Sequence, residues 1–448
     1  MSIKMSISPG VPSSSQSPLS SPPPVSPPPT TLPLRTIPGS YGLPLLGPIS
    51  DRLDYFWFQG PETFLKKRIE KHRSTVFRTN IPPTFPFFSN VNPNVVAVLD
   101  TKSFAHLFDM DLVDKRDVLV GDFMPSVKFT GDIRVCAYLD TSEPQHSKLP
   151  CPSPTVHLQV PRQVPCWADP SSSQEIAESG YAMLDRWLAL QLLPTIYIGA
   201  LQPLVEIFLH SWAYPFFLVS GDYKKIYEFV EKEGKEVLQR GETEFGLTRK
   251  ESIHNLLFVL GFNAFGGFSV FLPSLVSAIV TDTTGLQAKL IKEAREKGGS
   301  TLSFDSIKEM PLIQSAVYET LRLNPPVPIQ YGRARKDFQL SSHDSVYDIK
   351  KGELLCGYQK LVMKDPKIFD EPESFKPDRF MNEKGSELLN YLYWSNGPQT
   401  GSPTASNKQC AAKDYVVLTA ALFVAYVFRR YDSITGDSSS ITAVEKAK

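Results

Sequence analysis

The chain has 448 residues, with 47 Lys and Arg balancing 47 Asp and Glu, and this neutrality excludes the basic surface of a non-specific nucleic-acid binder. Apolar residues make up 42% and charged residues 21%, enough to bury a large core, while 39 prolines announce a stretch that takes no part in one. Five cysteines (Cys136, Cys151, Cys166, Cys356, Cys410) form no C-x-x-C pair and seven histidines form no His-x-x-x-His, so neither a disulfide framework nor a zinc site is expected; metal chemistry through a single cysteine stays open.

The first 40 residues hold 11 Ser and 11 Pro, with only Lys4 and Arg35 charged. Residues 1–35 are therefore expected to be a disordered leader, either a plastid or mitochondrial transit segment or a plain tail, ahead of one large domain over 36–448. Pro61–Arg73 reads as a short helix with Phe64, Leu65 and Ile69 on one face; Thr75–Arg78 and Val95–Leu99 read as strands, followed by a helix near Ser103–Phe108. Helical spacing returns at Glu175–Leu193 and Tyr223–Leu238. Between them, Leu188–Val219 is unusually apolar and broken by Pro194, Pro203 and Pro215, which suits greasy turns against lipid or helices buried in the core.

Thr248-Arg-Lys-Glu251 is a capping box opening a helix that runs to about Thr281. From Leu256 to Val280 it is apolar nearly all round and is expected to be the buried centre of the fold. Further helices are expected at Pro311–Leu323 and Ala412–Arg429, with short strands between Phe338 and Leu355, giving a mainly α protein with a small β portion. The apolar run Tyr415–Phe428 spans 14 residues, short of the ~20 that cross a bilayer, so no membrane span is expected.

Three signals lie in order in the C-terminal third. Glu319-Thr-Leu-Arg322 sets an acid and a base on one helix face, a spacing that also occurs at Glu70-Lys-His-Arg73 and alone means little. Phe375-Lys-Pro-Asp-Arg379-Phe380 supplies a second arginine, which completes a Glu319–Arg322–Arg379 network. Asn407-Lys-Gln-Cys410 places a cysteine just ahead of a helix, where the dipole favours its thiolate.

This order resembles the haem-thiolate cytochrome P450 superfamily. The resemblance implies the P450 fold, haem b as cofactor and Cys410 as axial iron ligand. Two departures narrow it. Where an oxygen-activating member carries an acid–Thr pair, the central helix has Phe262-Asn-Ala-Phe-Gly-Gly267, and the cysteine loop from Trp394-Ser-Asn-Gly397 to Cys410 is stretched. Both features are similar to the plant branch that metabolises fatty-acid hydroperoxides. That branch implies a substrate carrying its own O–O bond, so no dioxygen and no reductase.

By the same resemblance Asn263 orients the hydroperoxide, and Lys115, His146 and Lys408 hold the haem propionates. Gly266-Gly267 either admits a flat macrocycle or marks a kink. Leu119 stands where allene oxide synthases have Phe, and an aliphatic residue there resembles the lyases, closest to those acting on 13-hydroperoxides. The implied location is the chloroplast, with peripheral contact to a plastid membrane.

Residues 149–173 break the resemblance with six prolines in 25 residues, where relatives continue into several helices; Pro150 replaces a further propionate-binding lysine. The expected fold therefore lacks helices between about 149 and 174. The alternatives to a lyase are an allene oxide synthase and a haem-deficient, inactive relative or mis-spliced product.

Overall fold

The computed structural model describes residues 32–83, 88, 90–148, 169–197, 203–438 and 440–447. Residues 1–31 of the Ser/Pro-rich leader and 149–168 of the Pro-rich replacement lie outside the described residues. Leu32–Arg35 run alongside strand β6 (Val346–Ile349): Leu34 bridges Val346, and the Arg35 amide donates to the Val346 carbonyl at 2.9 Å.

The sheet draws on both ends of the chain. Its order is β1 (Val76–Asn80), β2 (Asn94–Val98), β7 (Leu354–Tyr358), β4 (Ile329–Ala334) and β3 (Val113–Asp114). β2 and β7 are parallel, the other pairs antiparallel, and β5 (Phe338–Ser341) forms a separate hairpin with β6. The helix Pro61–His72, started by proline at its first turn, buries Phe64 and Leu65 against this sheet with Phe77, Val95 and Ala97.

The capping box at Thr248 forms as expected, each partner bonding the other's backbone amide. It opens a continuous run of 32 residues: Arg249–Phe258, a π-helical stretch Val259–Gly266, and Gly267–Val280 with Pro273 inside. On one side this central helix packs Ile253, Leu257 and Phe258 against Trp187 and Met183 of the helix Gln174–Leu192. On another, Phe271, Leu275 and Ile279 meet Ile313, Val317 and Leu321 of the helix Pro311–Leu323, and the C-terminal helix Lys413–Arg430 closes that core with Val417, Ala421, Val424 and Phe428.

Three expectations need correction. The central helix is not buried all round: Asn263, Ala264, Ser269, Val270 and Pro273 are exposed, because neighbouring helices cover only part of its circumference. It is also long and apolar enough to cross a membrane by length and composition, with 22% of its most apolar window buried, so the 14-residue run was not the limit on span length. Tyr223–Leu238 is not one helix: Ser220–Glu233 and Lys235–Phe245 are separated at Gly234, which leaves the helical conformation with ψ 20°.

Candidate functional site

Glu319 and Arg322 are fully buried and paired side-on, Nε and Nη2 each donating to a carboxylate oxygen at 2.7 Å. Arg379 Nε donates to both Glu319 oxygens at 3.0 Å, and the Lys376 amide adds a contact at 2.9 Å. The remaining guanidinium hydrogens reach the carbonyls of Met363, Pro372 and Ser374 from Arg322, and of Asp370 and Glu371 from Arg379. The network ties the helix Pro311–Leu323 to the meander that leads into the cysteine loop. The second Glu-x-x-Arg differs: Glu70 is exposed, and Arg73 ends its helix at φ 49°.

The cysteine loop is built around Gln409. Its side-chain amide donates to the Pro398 carbonyl at 2.6 Å and to Ser395 Oγ at 3.2 Å, and a Cβ on Gly397 would sit 2.9 Å from its Cδ, so a larger residue there would have to displace the Gln409 side chain from these bonds. Asn396 Nδ2 holds the Lys408 carbonyl at 2.8 Å, and the Cys410 amide donates to the Ser395 carbonyl at 2.7 Å. Cys410 is partly exposed and its thiol free. Burial around the sulfur pushes the thiol pKa up, against the Ala412 amide and the nearby Lys413 charge, which favour thiolate. A cation bonded to this sulfur supplies the charge that reverses the balance.

The three proposed propionate partners come together from distant parts of the chain. Lys115 follows β3, His146 lies on the short helix Pro144–Lys148, and Lys408 precedes Cys410. Lys408 Nζ donates to the carbonyls of Cys136 at 3.0 Å and Leu139 at 2.8 Å, while Lys115 Nζ donates to the Tyr331 carbonyl. Burial first, and then the Lys408 charge, lowers Lys115 to about 7 and His146 to about 4; Asp140 opposes both shifts. His146 Nδ1 is buried without a hydrogen-bond partner. A buried Lys115, a half-buried Lys408 whose charge depresses the basicity of both neighbours, and an orphaned His146 nitrogen fit a dianionic group such as the two carboxylates of haem, which would restore the charge that burial removes.

Asn263 projects from the π-helical stretch with its side chain exposed and free of hydrogen bonds among the described residues. Leu119 is half-buried against the apolar cluster that contains Phe258, and Phe262, whose ring stacks on Phe258 at 4.6 Å, packs against the same cluster. Gly266 faces a helix: its Cβ would lie 2.7 Å from Leu188 Cδ2, as one on Gly261 would lie 2.7 Å from Trp187, while Gly267 has open space. These glycines admit the helix Gln174–Leu192.

Sequence reasoning passed over the loop 134–140 that binds these pieces. The Cys136 amide donates to Asn255 Oδ1 of the central helix at 3.1 Å, and Asp140 accepts the Lys115 amide at 2.8 Å and the Arg335 guanidinium. Burial would raise the Asp140 carboxyl, but Ser142, Arg335 and the Lys115 amide hold it well below the usual range. Its signals are backbone carbonyls and isolated side chains, which carry no spacing pattern.

The family model for cytochrome P450 matches residues 280–399. The chain is 61% identical to a chloroplastic fatty acid hydroperoxide lyase of Solanum lycopersicum over 461 positions, covering 93% of this chain and 97% of the relative. It is 58% identical to a chloroplastic linolenate hydroperoxide lyase of Arabidopsis thaliana, covering 93% and 94%. A chloroplastic allene oxide synthase of Linum usitatissimum is 41% identical, with 90% and 82% covered. The fold is that of a cytochrome P450, a family whose cofactor is haem held by a thiolate. Within that family the chain belongs to the branch of hydroperoxide lyases and allene oxide synthases. In the first alignment, 93% of 448 residues fills about 417 of the 461 positions, so about 44 residues of the relative have no counterpart here.

Proposed function

We propose that this chain is a chloroplast fatty-acid hydroperoxide lyase that cleaves 13-hydroperoxides of linoleic and linolenic acid into a C6 aldehyde and a C12 oxo-acid. The supporting observation is Leu119, an aliphatic residue packed against the same apolar cluster as Phe262, in a chain 61% identical to a lyase. Cys410 would hold the iron, and Lys115, His146 and Lys408 the propionates. Haem bound there supplies the ferric centre that splits a ready-made O–O bond.

The chain's own residues do the rest. The Asn263 amide can donate to one hydroperoxide oxygen and accept from the other, which would orient the O–O bond. Leu119 keeps water from the reacting carbon and offers no aromatic ring to direct a carbon radical toward oxidation and proton loss. The carbon radical would then take back the hydroxyl severed from the O–O bond, giving a hemiacetal that falls apart into two carbonyl fragments. Every atom of the hydroperoxide ends in the two products, so no reductant or reductase enters.

Phe58, Phe208, Trp212 and Phe217 leave large apolar side chains exposed, which suits the peripheral membrane contact proposed for the protein. The helix Pro203–His210 is held to the helix Leu46–Leu53 by Arg52, which donates to Glu206 Oε1 at 3.4 Å and to Ser211 Oγ at 2.9 Å.

A second reading, a haem-free relative, is favoured by the roughly 44 missing positions and the partly uncovered central helix. Purified chain loaded with haem and given 13-hydroperoxylinolenic acid separates the readings. Short aldehydes support the lyase, ketols an allene oxide synthase, and absence of a Soret band the haem-free protein.

A further inference from the structure

The segment carrying Lys115 and Leu119 turns back through Asp117, a non-glycine residue at φ 54°. That left-handed conformation costs ~1 kcal/mol or more for a side chain with a Cβ and persists only where surrounding contacts impose it. Here the contacts converge on Arg134. Its Nε donates to Asp117 Oδ1 at 3.0 Å, its Nη2 to the Tyr138 carbonyl at 2.9 Å, and its Nη1 and Nη2 to Glu143 at 2.6 and 3.2 Å. The Tyr138 carbonyl also accepts the Asp117 amide at 3.1 Å, so the guanidinium and the strained turn share one anchor.

Glu143 extends the linkage. It accepts the Asp140 amide at 2.9 Å, and its own carbonyl accepts the His146 amide at 2.9 Å, which fixes the start of the helix Pro144–Lys148. One guanidinium thus joins the turn between Lys115 and Leu119 to the helix bearing His146. Every hydrogen bond the guanidinium itself makes in the join is charge-assisted. The side chain keeps a third of its surface exposed and lies outside the cores, so packing does not account for the convergence.

We infer that Arg134 is a positioning residue for the hydroperoxide reaction. It sets Leu119 against its apolar cluster and keeps Lys115 and His146 in register with each other. The inference rests on the lyase reading for the role of Leu119, and on geometry alone for the positioning itself.

The test uses the full chain with Arg134→Gln, Arg134→Lys and Asp117→Gly. Hydrogen exchange followed by mass spectrometry is expected to show roughly tenfold faster exchange over 115–121 and 144–148 in R134Q, with β4 and β7 unchanged. R134K recovers part of the protection. D117G, for which φ 54° is unstrained, shrinks the effect of R134Q on residues 115–121. With haem-loaded protein, R134Q shifts the ratio of short aldehydes to ketols at least threefold, a readout that general loss of stability does not move.

Unchanged exchange at 115–121 overturns the positioning role. Faster exchange with an unmoved product ratio, in a parent that does make aldehydes, overturns its part in specificity. A parent that binds haem but yields no aldehydes sinks the lyase reading instead, and the exchange result still decides the positioning.

Discussion

The two Glu-x-x-Arg sequences allow one tetrapeptide spacing to be tested in two environments. Glu319→Gln removes the charge shared by Arg322 and Arg379, whose side chains are 0% and 4% exposed, and replaces one acceptor oxygen with an amide that cannot accept from a guanidinium. Breaking one member of a buried ion network leaves the partners charged and desolvated, at a cost of ~3–5 kcal/mol. Against a net stability of ~5–15 kcal/mol, this is a large fraction of what holds the domain together. Glu70→Gln alters an exposed carboxylate, where the expected change is within ~0.5 kcal/mol. Urea unfolding followed by tryptophan fluorescence measures both. A difference between the variants below ~1 kcal/mol would refute the assignment of Glu319 as the charge that neutralises two buried arginines.

Three further outcomes follow from the geometry. Lys115, held near 7 against its ordinary 10.5, is neutral in the folded chain and charged in the unfolded chain between those values. The unfolded state then binds the extra proton, so the stability of the haem-free chain rises with pH across that window. Carboxylates docking beside Lys115 restore its charge. At pH 8.5, calorimetry in buffers of different ionisation enthalpy should show the parent taking up roughly one proton more per haem than Lys115→Met; equal proton counts would remove Lys115 from the propionate site. Gly131→Ala combines φ 66° with a Cβ only 2.0 Å from His254 Nε2 in a buried contact, and should lower stability by ~3 kcal/mol or more; a thermal midpoint equal to the parent's contradicts the described packing of Gly131 on the central helix. Phe208→Ser with Phe217→Ser should reduce co-sedimentation with lipid vesicles several-fold without changing the unfolding midpoint, and unchanged binding would place the membrane contact elsewhere.

The parts legible in the sequence were those whose signal is local. Prolines at Pro61 and Pro311 and the Thr248–Glu251 box mark helix starts through backbone chemistry alone, and all three helices begin there. The Glu319–Arg322–Arg379 network was readable because two of its members sit one helical turn apart and the third is pinned by a neighbouring proline. The five-stranded sheet was only half readable. β2 pairs in parallel with β7 across more than 250 residues, and no local pattern encodes that partner.

The helix Leu286–Lys297 was missed because its buried stripe is only Leu286, Leu290 and Ala294, set among charged residues. The central helix misled in the opposite direction. All-round apolar composition says that a surface avoids water and says nothing about which neighbour covers it, and one side is left open at Asn263 and Val270. The loop 134–140 was invisible because much of its binding is done by peptide carbonyls, which every residue has.

The most direct test of the account is the absorption spectrum of the purified full chain reconstituted with haem, beside Cys410→Ser prepared identically. The parent should bind haem stoichiometrically and, reduced under carbon monoxide, give the red-shifted Soret band of thiolate-ligated iron, which the serine variant lacks. An identical spectrum in both proteins, or a parent that takes up no haem, would contradict ligation of iron by Cys410.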